Sequence, residues 1–83
     1  MEQLAFSGEL TIGRAEELVT ALQQALHSTN RLVIDLTAVE RIDTAAAHVL
    51  LAARLQAKQS AISLSFSCSD TVIRRLASIG IQL

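Results

Sequence analysis

The apolar positions of the chain follow two repeats by turns, one of two residues and one near 3.6, and the switches between them predict its elements. Residues 4 to 7 and Leu10 form a short apolar stretch interrupted by Gly8, which predicts a first strand that bends or bulges at that glycine. From Gly13 the repeat turns helical. Ala15, Leu18, Val19, Leu22 and Leu26 share a face, with Glu16, Glu17, Gln23 and Gln24 largely between them. Thr11 is placed to cap this helix, and the two glutamates fall near its positive end, where free N–H groups favour carboxylates. Arg31 to Leu36 then alternates, with Leu32, Ile34 and Leu36 opposite Val33 and Asp35, as in a central strand. Thr37 to Arg41 reads as a connection, after which Asp43 or Thr44 can cap a second helix running through Lys58. Residues 61 to 67 alternate again, Ile62, Leu64 and Phe66 against Ser63, Ser65 and Ser67. Ser69 can cap a last helix with Val72, Ile73 and Leu76 as its inner stripe, and Gly80 followed by Ile81 resembles a left-handed helix stop.

Three strand–helix pairs with widely separated strands cannot be joined by tight hairpins, and right-handed crossovers make the sheet largely parallel. The serine-rich face is too polar to bury, so the helices are expected mainly on one side. The expectation is an α/β fold, a two-layer sandwich, forming a single domain over residues 1–83. A chain of 83 residues has no room for a second core.

Composition narrows the function classes. Apolar residues make up 51% and charged ones only 18%, which leaves apolar surface to spare for a partner. The formal charge of −1 provides no field toward phosphate backbone or anionic lipid, so no nucleic-acid partner is expected. No stretch approaches the roughly 20 apolar residues a bilayer span needs, so no direct membrane insertion is expected either. Cys68, the sole cysteine, cannot form an internal disulfide or by itself hold a metal, which points to the cytoplasm. It reads as a small apolar group rather than a nucleophile. The glycines are too sparse for a phosphate cradle, no Gly-Lys-Ser or Gly-Lys-Thr follows them, and no cofactor is expected.

The second helix carries the candidate site. Its first turns hold Ala45, Ala46, Ala47, Val49, Leu50 and Leu51 almost all round, with His48 as the polar exception, so its start has a low profile. Asp43 and Thr44 fall at the carboxyl edge of the sheet, the edge where α/β folds usually place function. One reading of this pair is simple capping. The other is a modification site at Thr44, where the N–H groups of the helix start would accommodate a phosphate.

Gly8-Glu9-Leu10, the run from Leu32 to Val39 (LVIDLTAV), and Arg41-Ile-Asp-Thr-Ala45 ahead of the alanine- and leucine-rich helix resemble the STAS domain, the sulfate transporter and anti-sigma factor antagonist fold. The resemblance spans nearly the whole chain. It implies a STAS-like sandwich with a largely parallel, mixed sheet, and makes Thr44 the candidate for phosphorylation by a partner kinase. Thr11 stands where members often have aspartate, and Ala46 or Ala47 where they often have glycine. Longer members carry an additional N-terminal strand that this chain is expected to lack.

The resemblance implies a non-enzymatic module whose partner is a kinase-like anti-sigma factor, a chemotaxis protein, or a transporter ATPase of the phospholipid-transport type. Asp43, Thr44, Ala45, Ala46, Ala47, His48 and Leu51 are the expected contact residues. Small apolar side chains let a partner's backbone approach, and a dianion added at Thr44 would oppose that contact. His48, one turn after Thr44, raises the alternative of a small hydrolase, but no second motif supplies an orienting carboxylate or an oxyanion site. A weak homodimer is the remaining alternative.

Overall fold

The computed structural model describes residues 2–83; Met1, inside the expected domain, lies outside the described residues. Strand β1 (Glu2–Leu10) leads through a 3-10 turn (Ile12–Arg14) into helix α1 (Ala15–Ser28). Strand β2 (Arg31–Ile42), helix α2 (Thr44–Gln59), strand β3 (Ser63–Cys68) and helix α3 (Asp70–Ser78) follow. The described strands form one sheet in the order β1-β2-β3, parallel throughout, so the antiparallel member of a mixed sheet is not among them.

One face of the sheet is dry. Leu10, Leu32, Ile34 and Leu36 are sealed against Leu18, Leu22, Leu50, Val72 and Leu76 of the helices, all in one cluster. On the other face Gln3, Ala5, Ser7, Ser63, Ser65 and Ser67 stay exposed. Small hydroxyl side chains lose little by facing water, which is why the helices gather on one side.

Strand β2 is twelve residues long and runs through the segment 37–41 expected to be a connection. Its buried positions explain the difference. Leu36, Val39 and Ile42 lie three apart, because β2 carries one extra residue against β1 between the pairs Ala5↔Asp35 and Ser7↔Ala38, and another between Gly8↔Val39 and Glu9↔Arg41. Each bulge resets the alternation, and a repeat of three hides a strand from a search for a repeat of two. Asp35 holds the first bulge by accepting bonds from the Thr37 N–H at 2.9 Å and the Thr37 hydroxyl at 2.6 Å. The Thr37 hydroxyl, followed by its N–H, keeps the Asp35 carboxyl below the ordinary carboxylate range. Gly8 sits at the second bulge with φ of 71°, the backbone bend its position predicts.

Two further expectations change. Thr11 makes no side-chain cap, and the chain passes through the 3-10 turn before α1 begins at Ala15. Ile73 is 53% exposed rather than part of the inner stripe of α3, which the i, i+4 pair Val72 and Leu76 supplies alone. Ser69 does cap α3, accepting from the Val72 N–H at 3.3 Å while donating to the Val39 carbonyl at 3.1 Å.

Candidate functional site

The first turn of α2 is fixed by one carboxylate with two jobs. Asp43 Oδ1 accepts from the Ala46 N–H at 2.9 Å, the usual cap, and Oδ2 accepts from the Ile12 N–H at 2.7 Å in the turn before α1. The Asp43 N–H also donates to the Leu10 carbonyl at 3.3 Å, so the end of β1 and both connections meet at this residue. The Ala46 N–H holds the Asp43 carboxyl below its ordinary value; burial opposes it, and the Ile12 N–H and the cationic Arg41 and Arg75 add smaller lowering effects.

Of the two capping candidates, Asp43 performs the role. Thr44 is exposed, and its hydroxyl makes no hydrogen bond among the described residues. A hydroxyl at a helix start ordinarily earns its place by capping; this one is left without that duty and faces outward.

The expected contact residues divide by face. Ala46 and Ala47 are 0% exposed and packed into the core, so the expectation that they form part of a contact surface is corrected. Their small volume instead lets α2 lie close on the sheet. Thr44 and His48 are exposed, Ala45, Leu51 and Asp43 half-buried. Thr44, His48, Leu51 and Leu55 follow the i, i+4, i+7, i+11 spacing of a single helix face. Leu55 is 54% exposed, and Ala52 beside this row is exposed as well. So α2 has two distinct faces: an inner row of Ala46, Ala47, Leu50, Ala53 and Ala57 within the core, and an outer row in which Thr44, His48 and Leu55 are exposed and Leu51 is half-buried.

Two residues belong to this region that the sequence reading did not place there. Leu55 continues the outer row. Ile12, tethered through its N–H to Asp43, carries a side chain 72% exposed beside the start of α2. A lone large aliphatic between Thr11 and Gly13 was the available signal. Around them, Arg14 donates to the carbonyls of Ser7 at 2.9 Å and Glu9 at 3.1 Å, and Arg41 pairs with Glu9 at 3.3 Å, bracing the loop at the sheet's edge.

His48 shares the outer face with Thr44, but no hydrogen bond joins either side chain to a carboxylate among the described residues. The hollow nearest the start of α2 is an open depression lined by Glu40, Arg41, Ile42, Asp43, Thr71 and Arg75. Cys68 is half-buried, and burial pushes its thiol up, away from the thiolate. No described helix is long and apolar enough to cross a membrane.

Among the described residues, one face of the sheet is open, a single layer of helices covers the other, and α2 turns Leu55 outward. Residues 2–81 match the family described as "Mlab, STAS domain", and the chain belongs to the STAS domain family. STAS domains are in general regulatory or interaction modules that work through protein partners. No curated protein matches the sequence. Among solved structures, one called "Crystal Structure Analysis of Mglu" superposes with a TM-score of 0.71 over 82% of this chain at 19% identity. This chain corresponds to 17% of that one, and the likeness bears on the fold alone.

Proposed function

We propose that this STAS domain is a non-enzymatic regulatory module that docks on a protein partner through the outer face of α2, with Thr44 as the residue whose phosphorylation sets the affinity. The observation that carries the reading is the separation of duties at the helix start: Asp43 caps, and the exposed Thr44 hydroxyl has no bond among the described residues to lose on modification. The face that follows, with the polar His48 and then Leu51 and Leu55, and with Ala45 beside it, offers alanine and leucine groups that desolvate at little cost. A phosphate at Thr44 adds a charge of about −1.5 to −2. It suits its own helix terminus, so the fold tolerates it, while a partner approaching across that terminus meets a hydrated dianion.

The kind of partner follows from the family resemblance: a kinase-like anti-sigma factor first, a chemotaxis protein or the ATPase of a phospholipid transporter second. In the second case the same face is held permanently and Thr44 is never modified. The half-buried Leu51 and the exposed Leu55 favour this constitutive reading, since they extend the contact beyond the reach of one phosphate.

Affinity purification with the tagged chain, followed by binding of the recovered partner to Thr44→Glu and Thr44→Ala, separates the two. The switch predicts phosphate on Thr44 in cells and a loss of about tenfold or more for Thr44→Glu, about 1.4 kcal/mol, with Thr44→Ala near wild type. Equal binding by both variants and no phosphate on Thr44 would remove the switch and leave the constitutive subunit.

A further inference from the structure

The two outer strands of the sheet finish very differently. The β1 edge carries Glu2 and Glu9, has Gly8 in a left-handed conformation, and lies against two bulges. These are the features by which edge strands avoid pairing with other chains. The β3 edge has none of them. Its sequence, Ser-Leu-Ser-Phe-Ser-Cys, contains no charge, proline or glycine, and its register with β2 runs unbroken from Ser63 to Cys68. Among the described residues no strand lies beside the row of N–H and C=O groups on its outer side.

The side chains along that edge are unfinished as well. Leu32, Ile34 and Leu36 of β2 are sealed, whereas their β3 register partners Leu64, Phe66 and Cys68 are only half-buried. Ile73, 53% exposed on α3, and the half-buried Leu83 extend this apolar strip on the helical side, where they line a shallow hollow with Cys68.

We infer that β3 pairs antiparallel with β3 of a second copy of this chain, giving a six-stranded sheet in the order β1-β2-β3-β3-β2-β1. A second copy is favoured because the edge is its own complement. An uncharged strand meets no like charge when turned against itself, and the ends of the strip differ in sign: Arg31 flanks Ser63, while Asp70 follows Cys68. A two-fold axis normal to the sheet brings the acidic end of one copy toward the basic end of the other, whereas a parallel arrangement stacks like on like. That axis keeps both helical layers on the same side, brings the two Phe66–Ile73 strips together, and points the two α2 starts in opposite directions. A six-residue strand with a narrow apolar strip falls short of the roughly 800 Å² per partner of a standard stable interface, so the dimer is weak and concentration-dependent.

Sedimentation velocity of the full chain, from micromolar to millimolar concentration, tests this. The wild type is expected to shift from monomer to dimer, with the β3 amides gaining hydrogen-exchange protection in step. Ser65→Lys, on the exposed side of the edge, is expected to weaken dimerisation by about tenfold or more, as is Ser67→Lys, while Ala5→Lys in β1 leaves it unchanged. Circular dichroism establishes that each variant is folded. A monomer at every concentration overturns the inference. So does a dimer that ignores both serine substitutions and disappears with Leu55→Glu, because association then uses the outer face of α2.

Discussion

Helices α1 and α2 both start at the carboxyl edge of the sheet, one after β1 and the other after β2, yet their starts are made in opposite ways. The first has no side-chain cap and is entered through a 3-10 turn whose Ile12 faces water. The second is capped by Asp43, and the spare oxygen of the same carboxylate holds the first start in place through the Ile12 N–H. One loop is thus ordered by the other, and structural duty at this edge ends with a single carboxylate. Asp43 is committed to the fold; Thr44, its neighbour, is not.

Removal of Asp43 should disturb both helix starts most. Asp43→Ala strands the Ala46 N–H and releases the Ile12 N–H, and is expected to cost about 2 kcal/mol in denaturant unfolding. The amide signals of residues 11–14 should move along with those of α2; if they stay in place, the two starts are independent. The same carboxyl gives a pH signature. Its value in the folded state lies below the ordinary carboxylate value of the unfolded chain, so its contribution is complete above that ordinary value and is lost as pH falls through the folded one. Asp43→Asn, which keeps a cap but cannot titrate, should flatten this part of the acid limb in unfolding curves.

Ser69→Ala removes the cap of α3 and a donor to the bulged Val39 carbonyl, and should cost about 1 kcal/mol in the same assay, half the effect at Asp43. The helix ends sharpen the contrast further. Both α2 and α3 close with a 6→1 bond, Ile62 N–H to the Ala57 carbonyl and Ile81 N–H to the Leu76 carbonyl, each at 2.8 Å. In α3 the left-handed residue is Gly80, whereas in α2 it is Ala61 at φ of 57°. Ala61→Gly should therefore stabilise the chain by about 0.5 to 1 kcal/mol, read as a rise in melting temperature. The smallest expected effect is at Thr44 itself: Thr44→Ala should change stability by no more than about 0.5 kcal/mol. A cost like that of Asp43→Ala would mean that Thr44 supports the helix start after all.

The elements with clean repeats were legible without coordinates. Leu18, Leu22 and Leu26 set the buried face of α1, and the serine alternation set the wet face of β3. Ser69 and Gly80 marked the start and stop of α3 from their own chemistry. The far half of β2 was not legible, because its two bulges turn the inward positions 36, 39 and 42 into a repeat of three that suits neither strand nor helix. In the candidate site, the local signals of Asp43, Thr44 and His48 were visible in the sequence. Which alanines face inward was not, since Ala45, Ala46 and Ala47 are chemically identical and only the docking of α2 on the sheet distinguishes them. Ile12 was hidden for a further reason: its place depends on a hydrogen bond spanning 31 positions of the chain.

Whether the outer face of α2 beginning at Thr44 is the docking surface is decided by titrating the isotope-labelled chain with its purified partner and following backbone amide resonances. Shifts and broadening are expected to concentrate on Thr44, Ala45, His48, Leu51, Leu55 and the adjoining Ile12, with the β3 serines unaffected. Perturbations centred on Ser63 to Ser67, with residues 44 to 55 unmoved, would contradict docking through α2.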